Sequence, residues 1–363
     1  MKKFLLALFL VGTFGVQAQT MTQEEMQAQI ATLTEEVNTL KKKGETWDKI
    51  TKALPKISGY VMGRYTYADD ASEEGDDLSS FRLRRVRVSL AGDITPKLDY
   101  KFQAELAGFK LLDAYFNYKP FEQLKIKAGQ FKVPFSIENT DYTPTKMVLM
   151  DHPMVLDRLV GSSEVVGMTT FSNAGREMGI DLHGAFFGGI LNYDVAVFNG
   201  AGLNVKKDDN KSKDVVARLK VTPVKGLTIS GSYYWGESGD EFYARERFAV
   251  GAVYDSKHLI VRGEYIAGKT GIESDDDIVN IDQDGWYALA GWKFNDKWAA
   301  AVRYDSFTEN TDARSESIQN NYTVGVSWKP YKFIRLQANY VYEDCMKGMA
   351  HRNVGMVQAT VSF

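Results

Sequence analysis

The residues with the clearest capacity for chemistry are a cluster of cations. The stretch FRLRRVRVSLAG, residues 81–92, holds four arginines within six positions: Arg82, Arg84, Arg85 and Arg87. Two nearby stretches add three lysines: Lys101, Lys125 and Lys127. Guanidinium groups present fixed donor forks to phosphate and carboxylate, so a row of them facing one space would form a path for anions. Alternatively, these cations pair with carboxylates such as Asp99, Glu105 and Asp113 and only stabilise the wall that carries them.

These arginines can face one space only if their strand is irregular. Phe81 and Leu83 share one phase of the alternation, whereas the apolar residues from Val86 onward share the opposite phase. This change of phase predicts a β-bulge near residues 84–85. With that bulge, Arg82 and most of the other three arginines point to the same side of the sheet.

The elements that would position this wall are strands with alternating apolar and polar residues. The pattern begins at Ile57, is clear in LDYKFQAELAG (residues 98–108), and continues to the end of the chain. It fits about sixteen strands, each near the roughly nine to eleven residues that cross a bilayer at a tilt. Short turns alternate with longer polar connections, for example residues 203–214 and 268–285. The predicted fold class is therefore all-β, a transmembrane antiparallel β-barrel over residues 56–363 with an aqueous lumen.

The chain ends inside a strand. In VQATVSF, residues 357–363, the side chains of Val357, Ala359, Val361 and Phe363 share one face. In a closed barrel the last strand pairs with the first, so neither strand exposes an edge. We therefore expect Phe363 on the outer, lipid-facing side of that seam.

One long segment, residues 131–175, does not follow the alternation. Its apolar run MVLM at residues 147–150 argues against disorder, and loops of this length are usually functional. We predict that the segment folds into the lumen and narrows it. The alternative is a cap outside the barrel or a contact with a neighbouring subunit. The cations of the segment are Lys132, Lys146 and Arg158, and its carboxylates include Glu138, Asp141, Asp151 and Asp157.

The first 55 residues have a different character. Residues 1–18 combine a basic start, an apolar run and small residues near Ala18, which predicts a signal peptide. Residues 19–44 predict a periplasmic coiled-coil helix, and residues 45–55 a linker. The helix has an apolar seam with a/d spacing: Met26, Ile30, Leu33, Val37 and Leu40. A lone helix of this length is marginal in water, so we expect self-association, with packing on the barrel or on another envelope component as the alternative.

Composition argues against several other classes of protein. The net charge of −3 gives no reason to expect nucleic acid binding, and the single Cys345 leaves no internal disulfide. The four histidines, at positions 152, 183, 258 and 351, lack metal-ligand spacing, so we predict neither a metal nor a cofactor. His183 and His258 stand in no recognisable catalytic motif, so an outer-membrane lipase-type enzyme is not expected.

Four stretches resemble motifs of the phosphate-selective porin O and P family: FRLRRVRVSLAG, LLDAYFNYKP, KAGQFKVPFSIEN and GREMGIDLHG. The resemblance runs from about residue 56 to residue 363 and is most specific between residues 114 and 139. It implies an outer-membrane channel, usually trimeric, with an infolded loop between its fifth and sixth strands. It also places the basic ladder of that family on Arg82, Arg84, Arg85, Arg87 and the neighbouring lysines. VQATVSF resembles the end signal recognised by the barrel-assembly machinery.

The function that this resemblance implies is passive diffusion of small hydrophilic solutes with a preference for anions, phosphate among them. The alternative is a structural barrel whose coiled coil tethers the outer membrane to the cell wall. In either case the expected partners are outer-membrane lipid, two further copies of the chain, and the assembly machinery during biogenesis.

Overall fold

Sixteen antiparallel strands close into a barrel in the computed structural model of the chain. The structure describes residues 27–29, 31–40, 55–69, 78–160, 175–205, 210–238, 243–274 and 277–363. The chain divides into two compact units, Met1–Pro55 and Lys56–Phe363. The strands are β1 Lys56–Ala68, β2 Leu78–Thr95, β3 Leu98–Glu105, β4 Lys110–Tyr118, β5 Lys125–Lys132, β6 Arg176–Phe186, β7 Leu191–Phe198, β8 Asp214–Val224, β9 Leu227–Ser238, β10 Tyr243–Asp255, β11 Leu259–Ser274, β12 Asp277–Lys293, β13 Trp298–Thr308, β14 Ile318–Tyr331, β15 Ile334–Asp344 and β16 Arg352–Ser362.

Short helices lie in the connections between strands. In the connection between β5 and β6 they are Ile137–Asp141 and Met154–Val160. The other connections that the structure describes contain the 3₁₀ turns Phe187–Gly189 and Thr311–Ala313 and the helix Arg314–Ser317. Among the described residues, no helix has both the length and the apolarity that a bilayer crossing needs.

The barrel closes between its first and last strands, as the alternation at the C-terminus predicts. β1 and β16 pair antiparallel, with Val61 opposite Val361. Backbone hydrogen bonds between Gly59 and Phe363, at 3.0 and 2.9 Å, extend this pairing to the last residue. Phe363 continues the outward phase of β16 and is 66% exposed. Phe363 therefore lies in the seam between the first and last strands.

The outer surface of the barrel is apolar and carries two levels of aromatic rings. In β8, for example, Val215 and Leu219 face outward while Arg218 is buried inside. Toward the end with the longer connections, a row of rings follows the outer face: Trp286, Tyr304, Tyr322 and Tyr342. Toward the opposite end, Trp298 stacks on Trp328 at 5.3 Å between ring centroids. Two girdles of rings around an apolar band are typical of an outer-membrane barrel.

One predicted loop is wrong in length. Residues 268–285 were expected to form a long polar connection, but β11 and β12 pair as far as Ser274 opposite Asp277. This hairpin extends because polar residues such as Lys269 and Asp282 pair across it without needing lipid contact. Strand length in this barrel therefore exceeds the part that the apolar pattern marks.

Two bulges set the faces of the first strands. The pairing of β1 with β2 shifts between Met62 and Gly63, so Arg84 has no partner residue, which confirms the predicted bulge. A second shift, between β3 and β4, leaves Leu112 buried and Leu111 exposed. Leu112 alternates with Ala114 and Phe116 along the sequence, and the extra residue of the bulge is the reason that it does not share the outward face of Phe116.

The connection between β5 and β6 folds into the barrel. In its described part, residues 133–160, Phe135, Val155 and Leu156 are fully buried. They form one apolar cluster with inward-facing wall residues such as Phe198 and Tyr287. Residues 133–160 thus pack against the inner wall, and residues 161–174 lie outside the described part of the chain. We call residues 133–160 the infolded loop.

The N-terminal unit contains a helix over residues 27–29 and 31–40. Within it, Val37 is 49% exposed and Leu40 is 59% exposed, while Leu33 is half-buried. Met26, Ile30 and the predicted signal peptide, residues 1–18, lie outside the described residues. The apolar side chains that the helix shows are thus available to a partner.

Candidate pore lining

Two cavities lie along the inner wall beside the infolded loop. The first, which we call the loop-side cavity, has a volume of about 460 Å³ and lies toward the longer connections. The second, the turn-side cavity, has a volume of about 540 Å³ and lies toward the short turns. The inward residues of β1 and β2 contribute to both cavities, because these two strands run past both.

The level between the two cavities is closely packed. Met62 of β1 pairs with Arg85 of β2, and their side chains are only 1% and 4% exposed. Arg84 precedes this pair on the loop side, and Arg87 follows it on the turn side. Arg84, Arg85 and Arg87 therefore follow one another along β2 from the loop-side cavity to the turn-side cavity.

The turn-side cavity is lined by five cations, most of which have carboxylate partners. Its charged lining residues are Arg87, Lys101, Lys127, Lys132, Arg176 and Asp113. The ion pairs are Arg87–Glu105 at 2.9 Å, Lys101–Asp113 at 2.5 Å, Arg176–Asp113 at 2.6 Å and Lys127–Asp181 at 3.1 Å. The alternative in which the wall cations pair with wall carboxylates is thus correct for Arg87, Lys101 and Lys127. Lys132 instead donates to the backbone carbonyl oxygens of Asn139 and Tyr142.

The loop-side cavity is lined by six arginines: Arg64, Arg82, Arg84, Arg158, Arg303 and Arg352. Arg64 forms a bidentate pair with Asp151 of the infolded loop, with N···O distances of 2.8 and 3.0 Å. Arg84 and Arg85 differ from the others, because Nε of Arg84 and Nη1 of Arg85 are buried with no hydrogen-bond partner in the described part of the chain. Neither residue forms a salt bridge with a described carboxylate. Buried donors of this kind are costly unless water or a solute anion accepts from them.

The structure brings most of the predicted site residues to the lumen. Arg82, Arg84 and Arg158 line the loop-side cavity, and Arg85 lies between the cavities. Arg87, Lys101, Lys127 and Lys132 line the turn-side cavity. Lys125 lies opposite His183 in the pairing of β5 with β6 and lines neither cavity, and Lys146 of the infolded loop is exposed and also lines neither.

A second set of wall arginines, absent from the predicted site, holds the infolded loop. Arg303 donates to the carbonyl oxygens of Asp151 and His152 at 2.8 and 3.1 Å, and Arg335 donates to that of Thr145 at 3.1 Å. The remaining contacts of this kind are Arg218 to Asp141, Arg262 to Glu138, and Arg247 to the carbonyl oxygen of Leu159.

A carboxylate also anchors the start of the loop. Glu264 of β11 accepts hydrogen bonds from the Ser136 hydroxyl at 2.7 Å and from the Ile137 amide at 2.8 Å. Farther along the loop, burial alone would raise the pKa of Asp151, but Arg64 lowers it well below the usual aspartate range. Burial and the nearby Arg85 hold the pKa of His152 well below its ordinary value. At neutral pH the loop therefore presents an ionised Asp151 and a neutral His152.

Comparison with known proteins agrees with this architecture. The family described as phosphate-selective porin O and P matches residues 56–238. No curated protein matches the chain in sequence. Among solved structures, an anion-selective porin from Comamonas acidovorans is similar with a TM-score of 0.67 and 15% identity, covering 85% of this chain and 99% of that one.

Two further structures share the fold at low identity. OprB from Pseudomonas putida has a TM-score of 0.63 at 10% identity and covers 88% of this chain and 97% of that one. A trimer form of OmpT, an outer membrane protein of Vibrio cholerae, has a TM-score of 0.55 at 12% identity and covers 85% of this chain and 100% of that one. At these identities the likeness concerns the fold.

Proposed function

The chain belongs to the phosphate-selective porin O and P family and is an outer-membrane porin, and we propose that its lumen passes small hydrophilic solutes with a preference for anions. The observation that carries this preference is the excess of cations on the lumen wall. Around the turn-side cavity, the five lining cations face three carboxylates, namely Glu105, Asp113 and Asp181. Around the loop-side cavity, the six arginines face Asp151, Asp157, Glu343 and Asp305.

Arg84 and Arg85 give this excess a position along the path. Both lie where the two cavities approach each other, and both keep a buried N–H group without a described acceptor. A guanidinium that lacks a partner can accept a passing anion without first breaking an ion pair. Phosphate and carboxylate fit its donor fork better than chloride does, because they offer two oxygens at the spacing of the fork.

The direct test is planar-bilayer recording on the purified full-length protein. In a tenfold KCl gradient an ideal anion channel reverses at about 59 mV in magnitude, and we expect a smaller value of the same sign. Adding potassium phosphate should reduce the chloride current, since phosphate would occupy the same guanidinium groups. A reversal potential of cation sign would refute the anion preference and leave the barrel untouched.

We further propose that three copies of the chain associate. Val37 and Leu40 are exposed in the helix of the single chain, and apolar side chains at a/d spacing are stabilised when such helices pair. A porin of similar fold occurs in a trimer form. The mass of the detergent-solubilised protein, measured by light scattering, would be three times that of one chain.

A tethering role for the helix is the second candidate. Deleting residues 20–54 distinguishes trimer assembly from tethering. If the helix only assembles trimers, its deletion should lower the measured mass from that of three chains. A helix that only tethers would instead leave the mass and the conductance unchanged and weaken attachment of the barrel to the cell wall. A lipase-type activity would appear as hydrolysis of lipid by the purified protein, and we do not propose such an activity.

A further inference from the structure

Three potential metal ligands lie together on the inner wall where β6 and β7 form a hairpin. Asp181 and His183 are two residues apart on β6 and so share the inward face. Asp194 of β7 lies opposite His183 in the strand register. One ligand atom from each residue, a carboxylate oxygen or a ring nitrogen, lies within 4.8 Å of the other two.

The Asp181 carboxylate has one oxygen with no donor. Its side chain is only 1% exposed, and Oδ2 accepts from Nζ of Lys127 at 3.1 Å. Oδ1 is buried and has no hydrogen-bond partner among the residues that the structure describes. Burying a charged oxygen in this way is costly unless a cation or a donor meets it. This unpaired oxygen therefore belongs to Asp181, one of the three residues of the cluster.

His183 is held in the tautomer that a metal ligand requires. Its Nε2 lies 3.0 Å from Oδ1 of Asn117, and the amide nitrogen of Asn117 donates to Oδ2 of Asp99 at 3.3 Å. Because that second bond fixes which atom of the Asn117 amide is the oxygen, Nε2 must carry the proton. Nδ1 then keeps its lone pair. Metal-binding histidines generally donate their other N–H group to an oxygen in this manner.

We propose that Asp181, His183 and Asp194 bind one divalent transition-metal ion on the lumen wall, with Zn²⁺ the natural probe. An imidazole with two carboxylates suits Zn²⁺ and its neighbours rather than Mg²⁺ or Ca²⁺, which prefer oxygen ligands alone. Zinc bonds of about 2.0–2.2 Å place tetrahedral ligands about 3.4 Å apart, so ligand atoms that lie within 4.8 Å of one another would approach by at most about 1.4 Å. Asp194 is 20% exposed, which leaves the remaining position to solvent from the lumen.

The surroundings of the cluster limit its affinity without blocking it. Lys127 occupies Oδ2 of Asp181 and leaves Oδ1 open, and Nη1 of Arg218 lies 4.0 Å from Oδ2 of Asp194. Lys125 is the residue opposite His183 on β5. These cations disfavour a second positive charge, whereas the buried unpaired oxygen of Asp181 favours one. Metal binding does not depend on the proposed anion preference, so either proposal can fail alone.

The test is zinc binding to the untagged full-length protein in detergent, measured by titration calorimetry after treatment with EDTA. We expect one Zn²⁺ per chain, a Kd raised at least tenfold by His183→Gln or Asp194→Asn, and a rise of about 10- to 100-fold for Asn117→Ala. His258→Gln is the matched control, since His258 lies in an exposed turn and contacts Trp292. It should bind zinc like the unaltered protein.

Folding of each variant is checked by its gel shift on heating, because folded barrels migrate differently from unfolded chains. With Co²⁺ in place of Zn²⁺, visible absorption of a four- or five-coordinate ion should appear in the unaltered protein and not in His183→Gln. The proposal is overturned if folded His183→Gln and Asp194→Asn bind zinc as the unaltered protein does. It is also overturned if the unaltered protein binds no zinc.

Discussion

Removing the charge of Arg84 should weaken the anion preference more than removing a neutral ion pair beside it. Arg84 has no carboxylate partner among the described residues, whereas Arg87 lies 2.9 Å from Glu105. Arg84→Ala therefore deletes a bare positive charge from the wall. The double change Arg87→Ala with Glu105→Ala deletes a pair whose net charge is zero, so it serves as the matched control.

The size of the effect follows from Coulomb's law. A monovalent ion about 4 Å from a guanidinium interacts by about 1 kcal/mol in water, and screening in roughly 0.1 M salt reduces this to about 0.7 kcal/mol. An anion loses that attraction in Arg84→Ala, and a cation is relieved of the same repulsion. The anion-to-cation permeability ratio should then fall by about tenfold, because the two changes sum to about 1.4 kcal/mol.

The assay is the reversal potential of single channels in a tenfold KCl gradient. Arg84→Ala should move it toward zero by tens of millivolts, while the Arg87→Ala/Glu105→Ala double variant should stay within a few millivolts of the unaltered channel. Both proteins must show the heat-dependent gel shift of a folded barrel. If the double variant shifts the potential as far as Arg84→Ala does, or if Arg84→Ala shifts nothing, charge at this level of the lumen does not set selectivity.

Three further outcomes test the seam, the loop and the helix. Gly59→Val should reduce the yield of folded barrel, because a Cβ there would lie 2.5 Å from Cζ of Phe363, whereas Gly63→Ala meets nothing within 4 Å and should fold normally. Pairing with Arg64 lowers the pKa of Asp151 in the folded protein. This pairing therefore stabilises the docked loop at every pH above the pKa of an unfolded aspartate, and the stabilisation is lost only when the pH falls through the lower pKa of the folded state. Channel noise should therefore be the same at pH 7 and pH 5, and Asp151→Asn should raise it at both. Deletion of residues 20–54 should leave single-channel conductance unchanged, and a changed conductance would show that the helix enters the conduction path.

The sequence predicted the barrel because alternation is a local property that each strand shows by itself. It also predicted the bulge at Arg84, since the change of apolar phase between Leu83 and Val86 can be read along one strand. It could not predict that Arg303 and Arg335 hold the infolded loop. Those contacts join positions more than 150 residues apart, and their partners are backbone carbonyl groups, which carry no sequence signal.

The proposed metal ligands could not be recognised from the sequence for a related reason. The four histidines lack metal-ligand spacing among themselves, whereas the cluster combines Asp181 and His183 on one strand with Asp194 across a hairpin. A D-x-H pattern on an inward face, followed by an acidic residue at the paired position of the next strand, is a detectable signal. It becomes informative only once the register of β6 and β7 is known.

The kind of partner that each arginine has distinguishes the proposed anion contacts from the other arginines of the lumen. On β8, β11 and β13, the arginines Arg218, Arg262 and Arg303 pair with carboxylates, so each contributes little net charge to the lumen. Arg84 and Arg85 on β2 form no salt bridge with a described carboxylate. Since arginines occur on β8, β11 and β13 as well as on β2, their number alone does not locate the proposed anion contacts. The difference in pairing favours Arg84 and Arg85 of β2 as the proposed anion contacts over Arg218, Arg262 and Arg303.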